Sequence, residues 1–296
     1  MTATLTRTEI KPRRVTFDWQ DAPLSWLPGE PGVAHVMNVL HLLLPAGERW
    51  FVRLYKDALP LLEDDPVLHA QVKGFMGQEA VHARAHTAAL EHFRAHGIDP
   101  DPFVRQIDWM FEHLLGDDAM PPFLRRRWFA ERLAIVAAIE HFTAVLGDWI
   151  VQSPALDAAG ADPTMLDLLR WHGAEEVEHR AVAFDVFQHV SGRYFTRVRQ
   201  MLVAAAMMIF LFHRGARYLA QHDPTYTGPL PTMRRYRRAA KRKLVPRQRD
   251  LLLAVPRYCR PGFHPSQESD TQLALDYLGR SPAALAAAGG STAIDR

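Results

Sequence analysis

The chain has a single cysteine, Cys259, among 296 residues. That excludes an internal disulfide and fits a reducing compartment. A secretory leader is missing at its start: MTATLTRTEIKPRRVTFDW carries basic residues with no apolar run behind them, so a cytoplasmic chain is expected. The longest apolar run, MLVAAAMMIFLF at 201–212, has 12 residues against the roughly 20 of a spanning helix. Arg197 and Arg199 precede it and Arg214 and Arg217 follow it. It therefore reads first as a buried core helix and second as a surface helix that touches lipid or a partner. Charge of one sign is also lacking, with 35 Lys and Arg against 33 Asp and Glu, so the molecule as a whole carries no strong field. There is no internal repeat, no glycine-rich phosphate loop and almost no β-like alternation, which argues against an α/β fold.

What is present is helical periodicity. Residues 1–30 read as an arm or strap, polar and then rich in Pro and Trp. Apolar residues dominate 33–44, Pro45 marks a restart or a kink, and 46–59 keeps a helical repeat. Asp64-Asp65-Pro66 supplies a cap and first turn for a helix from 66 to about 96, which Gly97 closes. Shorter and longer helices follow at about 102–115, 123–150 and 163–190, then one containing the 201–212 run. Long helices of this kind predict an all-α protein, a helical bundle over 31–220. A Pro-rich extension over 221–296 has nine basic residues and no acid between Arg234 and Arg249, and its last ten or so residues are expected to be disordered.

Fifteen histidines are many, and their spacing is informative. Glu79 and His82 lie three apart on one helix, and Glu176 and His179 repeat that spacing on another, so each pair shares a helix face. One such pair arises readily on a helix surface. Two on separate long helices, with a glutamate embedded in each of two other apolar helices, form the pattern of carboxylate-bridged dimetal bundles. Glu48 follows VLHLLLPAG and Glu140 follows LAIVAAI. A carboxylate in such a setting needs a cation, and two divalent ions would supply one. His172, four residues before Glu176, is an additional ligand candidate. His86, His141, Glu175 and Asp185 are candidates to orient the ligands from outside, and Glu175 competes with Glu176 for a ligand position. His92, His96, His189 and His213 read as structural or surface residues.

The segments LLLPAGERWFVR (42–53), FMGQEAVHARAH (75–86), AAIEHFTAVLGD (137–148) and WHGAEEVEHRAVAFDV (171–186) resemble the bacterial family described as predicted metal-dependent hydrolase. That resemblance implies a ferritin-like fold over about 30–220. The pattern also resembles di-iron oxygenases that oxidise arylamines at nitrogen, where the second Glu-x-x-His helix has an extra histidine four residues before its glutamate. By that likeness Glu48, Glu79, His82, Glu140, His172, Glu176 and His179 are the seven ligands.

The first functional expectation is a di-iron oxidase or oxygenase acting on an apolar or aromatic small molecule, with a separate electron donor. Iron is the first choice of metal, and manganese or zinc are the alternatives. A hydrolase using metal-activated water comes second, and a non-enzymatic metal-binding protein third. A homodimer is the default assembly. Residues 201–249 are the segment expected to meet a membrane surface, and sequence-specific nucleic-acid binding is not expected.

Overall fold

Two Asp-Pro dipeptides start two of the helices that build the interior. Asp65 accepts a hydrogen bond from the Leu68 backbone N–H at 2.9 Å, and Asp162 accepts one from Met165 at 2.9 Å. Each is followed by a proline at the first helical position, where no N–H is needed. The computed structural model describes residues 10–118 and 120–291. In chain order its helices are α1 (Pro31–Ala58), α2 (Pro66–Ala95), α3 (Asp101–Trp109), α4 (Pro122–Val151), α5 (Pro154–Ala158), α6 (Pro163–His179), α7 (Val182–Val190), α8 (Tyr194–His222), α9 (Met233–Lys241), α10 (Gln248–Tyr258), α11 (Thr271–Leu278) and α12 (Pro282–Ser291). No strand occurs among the described residues, and the protein is all-α.

α1 packs on α2, α4 packs on α6, and α8 lies against both α1 and α4. Gly97, at φ +85°, ends α2 in a conformation that glycine adopts without strain. α1 runs through Pro45 without a break. The helix expected over 163–190 does not: residues 180–181 form a turn between α6 and α7. There the Arg180 guanidinium turns back to the Val177 carbonyl and also bonds the Pro265 carbonyl. A side chain that engages its own helix's last carbonyls offers the backbone an alternative to continuing.

The apolar run at 201–212 is only partly buried. Met201, Ala204 and Leu211 face inward, while Leu202, Val203, Ile209 and Phe210 are 47–59% exposed. α4 and α8 are both long and apolar enough to cross a membrane by length and composition. The apolar window of α4 is 67% buried within the fold, however, against 33% for α8.

The chain beyond α8 folds back on the rest. Asp167 on α6 accepts hydrogen bonds from Tyr277 (2.8 Å), Ser281 (2.7 Å) and the Ala283 backbone N–H (3.0 Å), which fastens α11 and α12. Disorder expected over the last ten residues does not begin there: 287–291 are helical, and 292–296 lie outside the described residues.

α4 and α6 approach closely where they cross. A Cβ on Gly147 would stand 2.2 Å from the Gly173 carbonyl oxygen, and one on Gly173 would stand 2.7 Å from the Gly147 Cα. Backbone lies on backbone at this point, one residue from His172 and two helical turns from Glu140. Gly147→Ala or Gly173→Ala should therefore force α4 and α6 apart at a cost of about 1–3 kcal/mol, read as a lowered melting temperature. An unchanged melting temperature in both variants would contradict this packing.

Candidate metal centre

Each of the four glutamates expected at the centre comes from a different helix, and all are buried. Glu48 (α1) is 1% exposed, Glu79 (α2) 0%, Glu140 (α4) 2% and Glu176 (α6) 3%. His82 on α2 and His172 and His179 on α6 are buried among them. The structure thus brings all seven predicted side chains to one place.

They form two nests that share two carboxylates. In one, His179 Nε2 lies 3.1 Å from Glu140 Oε2, 3.3 Å from Glu79 Oε1 and 3.5 Å from Glu176 Oε2. In the other, His82 Nδ1 lies 3.6 Å from Glu79 Oε1 and 3.5 Å from Glu176 Oε1. His172 Nε2 lies 2.7 Å from the same Glu176 oxygen and 3.7 Å from Glu48 Oε1. Glu176 presents one oxygen to each nest, and Glu79 Oε1 stands between the two.

Most of the converging atoms have no hydrogen-bond partner: both oxygens of Glu48 and of Glu79, Glu140 Oε2, Glu176 Oε2, His82 Nδ1 and His179 Nε2. Leaving such groups buried and unpaired costs on the order of 1–3 kcal/mol each, more when charged. Donors held by one cation at about 2.0–2.2 Å stand roughly 3 Å from one another. The observed separations are close to that, and the donor set of carboxylates and imidazoles suits a hard or borderline divalent ion. The residues fit a metal.

Without a cation the carboxyl groups repel. Burial, then Glu79, raises the Glu48 carboxyl well above its usual range, and burial with Glu176 and Glu79 pushes Glu140 up to about 8. Burial acts the same way on Glu176, but His179 and His172 outweigh it and hold that carboxyl well below the usual range. Burial opposes charge on His82 and His179. Glu175 and Glu79 overcome it for His82, and Glu176 and Glu140 overcome it for His179, so both imidazoles are raised.

The far nitrogen of each inner histidine is engaged. His82 Nε2 meets Glu175 Oε2 at 2.9 Å, His179 Nδ1 meets Gln78 Oε1 at 2.9 Å, and His172 Nδ1 bonds His86 Nε2. His86 Nδ1 in turn meets His41 Nδ1 at 2.7 Å. Partners of this kind fix which ring nitrogen faces inward. Rings do the rest: His82 stacks on His172 at 4.1 Å, Trp171 stands edge-on to His82, and Phe75 edge-on to His179.

Of the expected outer residues, His86 and Glu175 sit beside the inner histidines, and Glu176 rather than Glu175 points into the nests. His141 and Asp185 lie elsewhere. His141 faces Tyr258 and Phe263 and bonds the Ala254 carbonyl at 3.1 Å, because its position next to Glu140 turns it about 100° around α4. Asp185 lies on α7, beyond the turn at 180–181, where it meets His264 Nε2 at 2.8 Å. Sequence reasoning missed His41, Gln78, Glu178 and Arg13. His41 carried a signal, since it stands seven residues before Glu48 on the same stripe of α1.

These protonation preferences give the metal-free fold a pH dependence. Glu48, Glu140, His82 and His179 all hold protons more tightly folded than unfolded. Above pH 7 the unfolded chain has largely released those protons. The metal-free fold therefore loses stability as pH rises through about 8, where Glu140 ionises. His41, His86 and His172 are lowered and neutral in both states there, so they add no slope. Thermal melts between pH 7 and 9 should fall with pH for chelator-treated protein and stay level for metal-loaded protein. A level curve for the chelated protein would count against the cluster as described.

No characterised protein and no solved structure gives a significant match to the chain. One protein family does, that described as predicted metal-dependent hydrolase, over residues 11–269. With all seven crowded side chains inside that span, the chain belongs to the predicted metal-dependent hydrolase family.

Proposed function

We propose that the protein is a non-haem dimetal carboxylate enzyme, with iron as the working metal, that uses O₂ to oxidise an apolar or aromatic small molecule. The observation that carries this reading is the pair of nests joined by Glu79 and Glu176. One glutamate from each of two helices, with a Glu-x-x-His pair from each of two others, is the ligand arrangement of ferritin-like di-iron proteins. Two ferrous ions held there would supply electrons to O₂. The chain's own part is to hold them and keep water out. Phe75, Trp171 and Tyr55 are each fully buried beside the cluster, and such walls suit an apolar substrate and a site from which water is excluded. Burial, then Glu140, keeps the Tyr55 phenol protonated, so it adds no further charge.

The family's description supports a second reading, hydrolysis by a metal-activated water. In that case a carboxylate at the rim of a nest would take the proton from water, and zinc or manganese would serve as well as iron.

Metal analysis of aerobically purified protein should find two irons per chain, and the reduced protein should change its near-ultraviolet absorption on meeting O₂. Glu140→Ala should lower the iron content and abolish the O₂ response while the helical content is retained. Turnover without air by the zinc-loaded protein would favour hydrolysis and sink the oxygenase reading.

A further inference from the structure

The strap ahead of α1 is seated on α2 more closely than a surface arm needs. The Ile10 carbonyl oxygen lies 2.2 Å from where a Cβ on Gly74 would be, and the Pro12 ring lies 2.9 Å from where one on Gly77 would be. Only glycines permit that approach. Further along, Val15 is buried and Phe17 packs against Trp171 with ring centroids 5.8 Å apart. Between these two anchors the strap delivers one side chain toward the metal centre.

That side chain is Arg13. Its Nη1 donates to Glu175 Oε1 at 2.7 Å and to Glu178 Oε2 at 2.8 Å, and its Nη2 donates to Glu178 Oε1 at 3.0 Å. Both carboxylates belong to α6 and are almost wholly buried, at 0% and 3% side-chain exposure. Each leads to a different inner histidine. Glu175 holds His82 directly at 2.9 Å. Glu178 takes a hydrogen bond from Gln78 Nε2 at 2.6 Å, and the same nitrogen donates to the Lys11 carbonyl at 3.2 Å. With its nitrogen committed to two acceptors, the Gln78 amide must turn its oxygen to His179 Nδ1, 2.9 Å away.

We propose that Arg13 is a positioning residue for both nests: through Glu175 it fixes His82, and through Glu178 and Gln78 it fixes His179, each with its inward nitrogen free for a metal. This rests on reading the cluster as a metal centre. A bidentate guanidinium matches the geometry of Glu178 while reaching Glu175 from the same nitrogen, which a lysine ammonium cannot do. The strap is thereby part of the centre, although Arg13 touches no ligand.

The test is titration of chelator-treated full-length protein with Zn(II) and with Co(II), following affinity and the visible Co(II) bands, beside the circular dichroism and melting temperature of the metal-free form. Arg13→Ala should keep the fold, weaken binding about 10–100-fold and shift the Co(II) bands. Arg13→Lys should fall between it and the wild type. Arg14→Ala, which removes the same charge from an exposed neighbour, should bind as the wild type does. Glu178→Gln should weaken one step of a two-step titration, that of the His179 nest, and spare the other. Should Arg13→Ala not fold, Arg13→Lys and Glu178→Gln carry the decision alone. Wild-type affinity and bands in those variants would overturn the role of Arg13 while leaving the metal centre intact. A wild type that binds neither ion would remove the centre and the proposal together.

Discussion

Four carboxylates facing one another inside apolar helices are the constraint around which the rest of the molecule is arranged. Water cannot screen them there, and bringing buried charges together without a counter-ion costs several kcal/mol per group. The protein meets part of that cost with three imidazoles, two of which are pulled toward the charged form by the carboxylates beside them. It leaves the remainder to a cation. The orphaned oxygens of Glu48 and Glu79 are the clearest sign, since each would find a partner cheaply if it were turned toward solvent.

Much of this was legible in the residues. Asp65-Pro66, Asp162-Pro163 and Gly97 set helix ends through caps and a positive φ, which are local effects. The inner side chains were legible because Glu-x-x-His fixes two donors on one face by helix geometry alone. What could not be read was whatever depends on tertiary contact. The turn at 180–181 depends on Arg180 and a carbonyl 85 residues away in sequence. Arg13 acts across 162 and 165 residues and has no periodicity to announce it. Burial of 201–212 was overestimated because composition reports how apolar a helix is, while exposure depends on how many neighbours it has. α8 has too few to cover Leu202, Ile209 and Phe210.

The surroundings of the three inner histidines are unequal. His82 leans on a carboxylate, His179 on an amide and His172 on another imidazole. A carboxylate partner makes an imidazole a stronger electron donor than an amide does. The two nests therefore differ in basicity as well as in composition, one holding two imidazoles and the other one. Behind His172 the chain of His86 and His41 is buried throughout, and burial, then neighbouring imidazoles, holds both well below the usual histidine range. This side of the centre carries no charge of its own.

Gly147 and Gly173 place no side chain of their own between α4 and α6. At that level of the α4–α6 seam main chain meets main chain, and the Ile150 side chain, 2.7 Å from where a Cβ on Gly173 would be, fills the space beside it. That crossing leaves no room even for a methyl group, whereas over Gly47 on α1 it is a side chain, the Phe111 ring, that fills the space, 3.2 Å from where a Cβ would be.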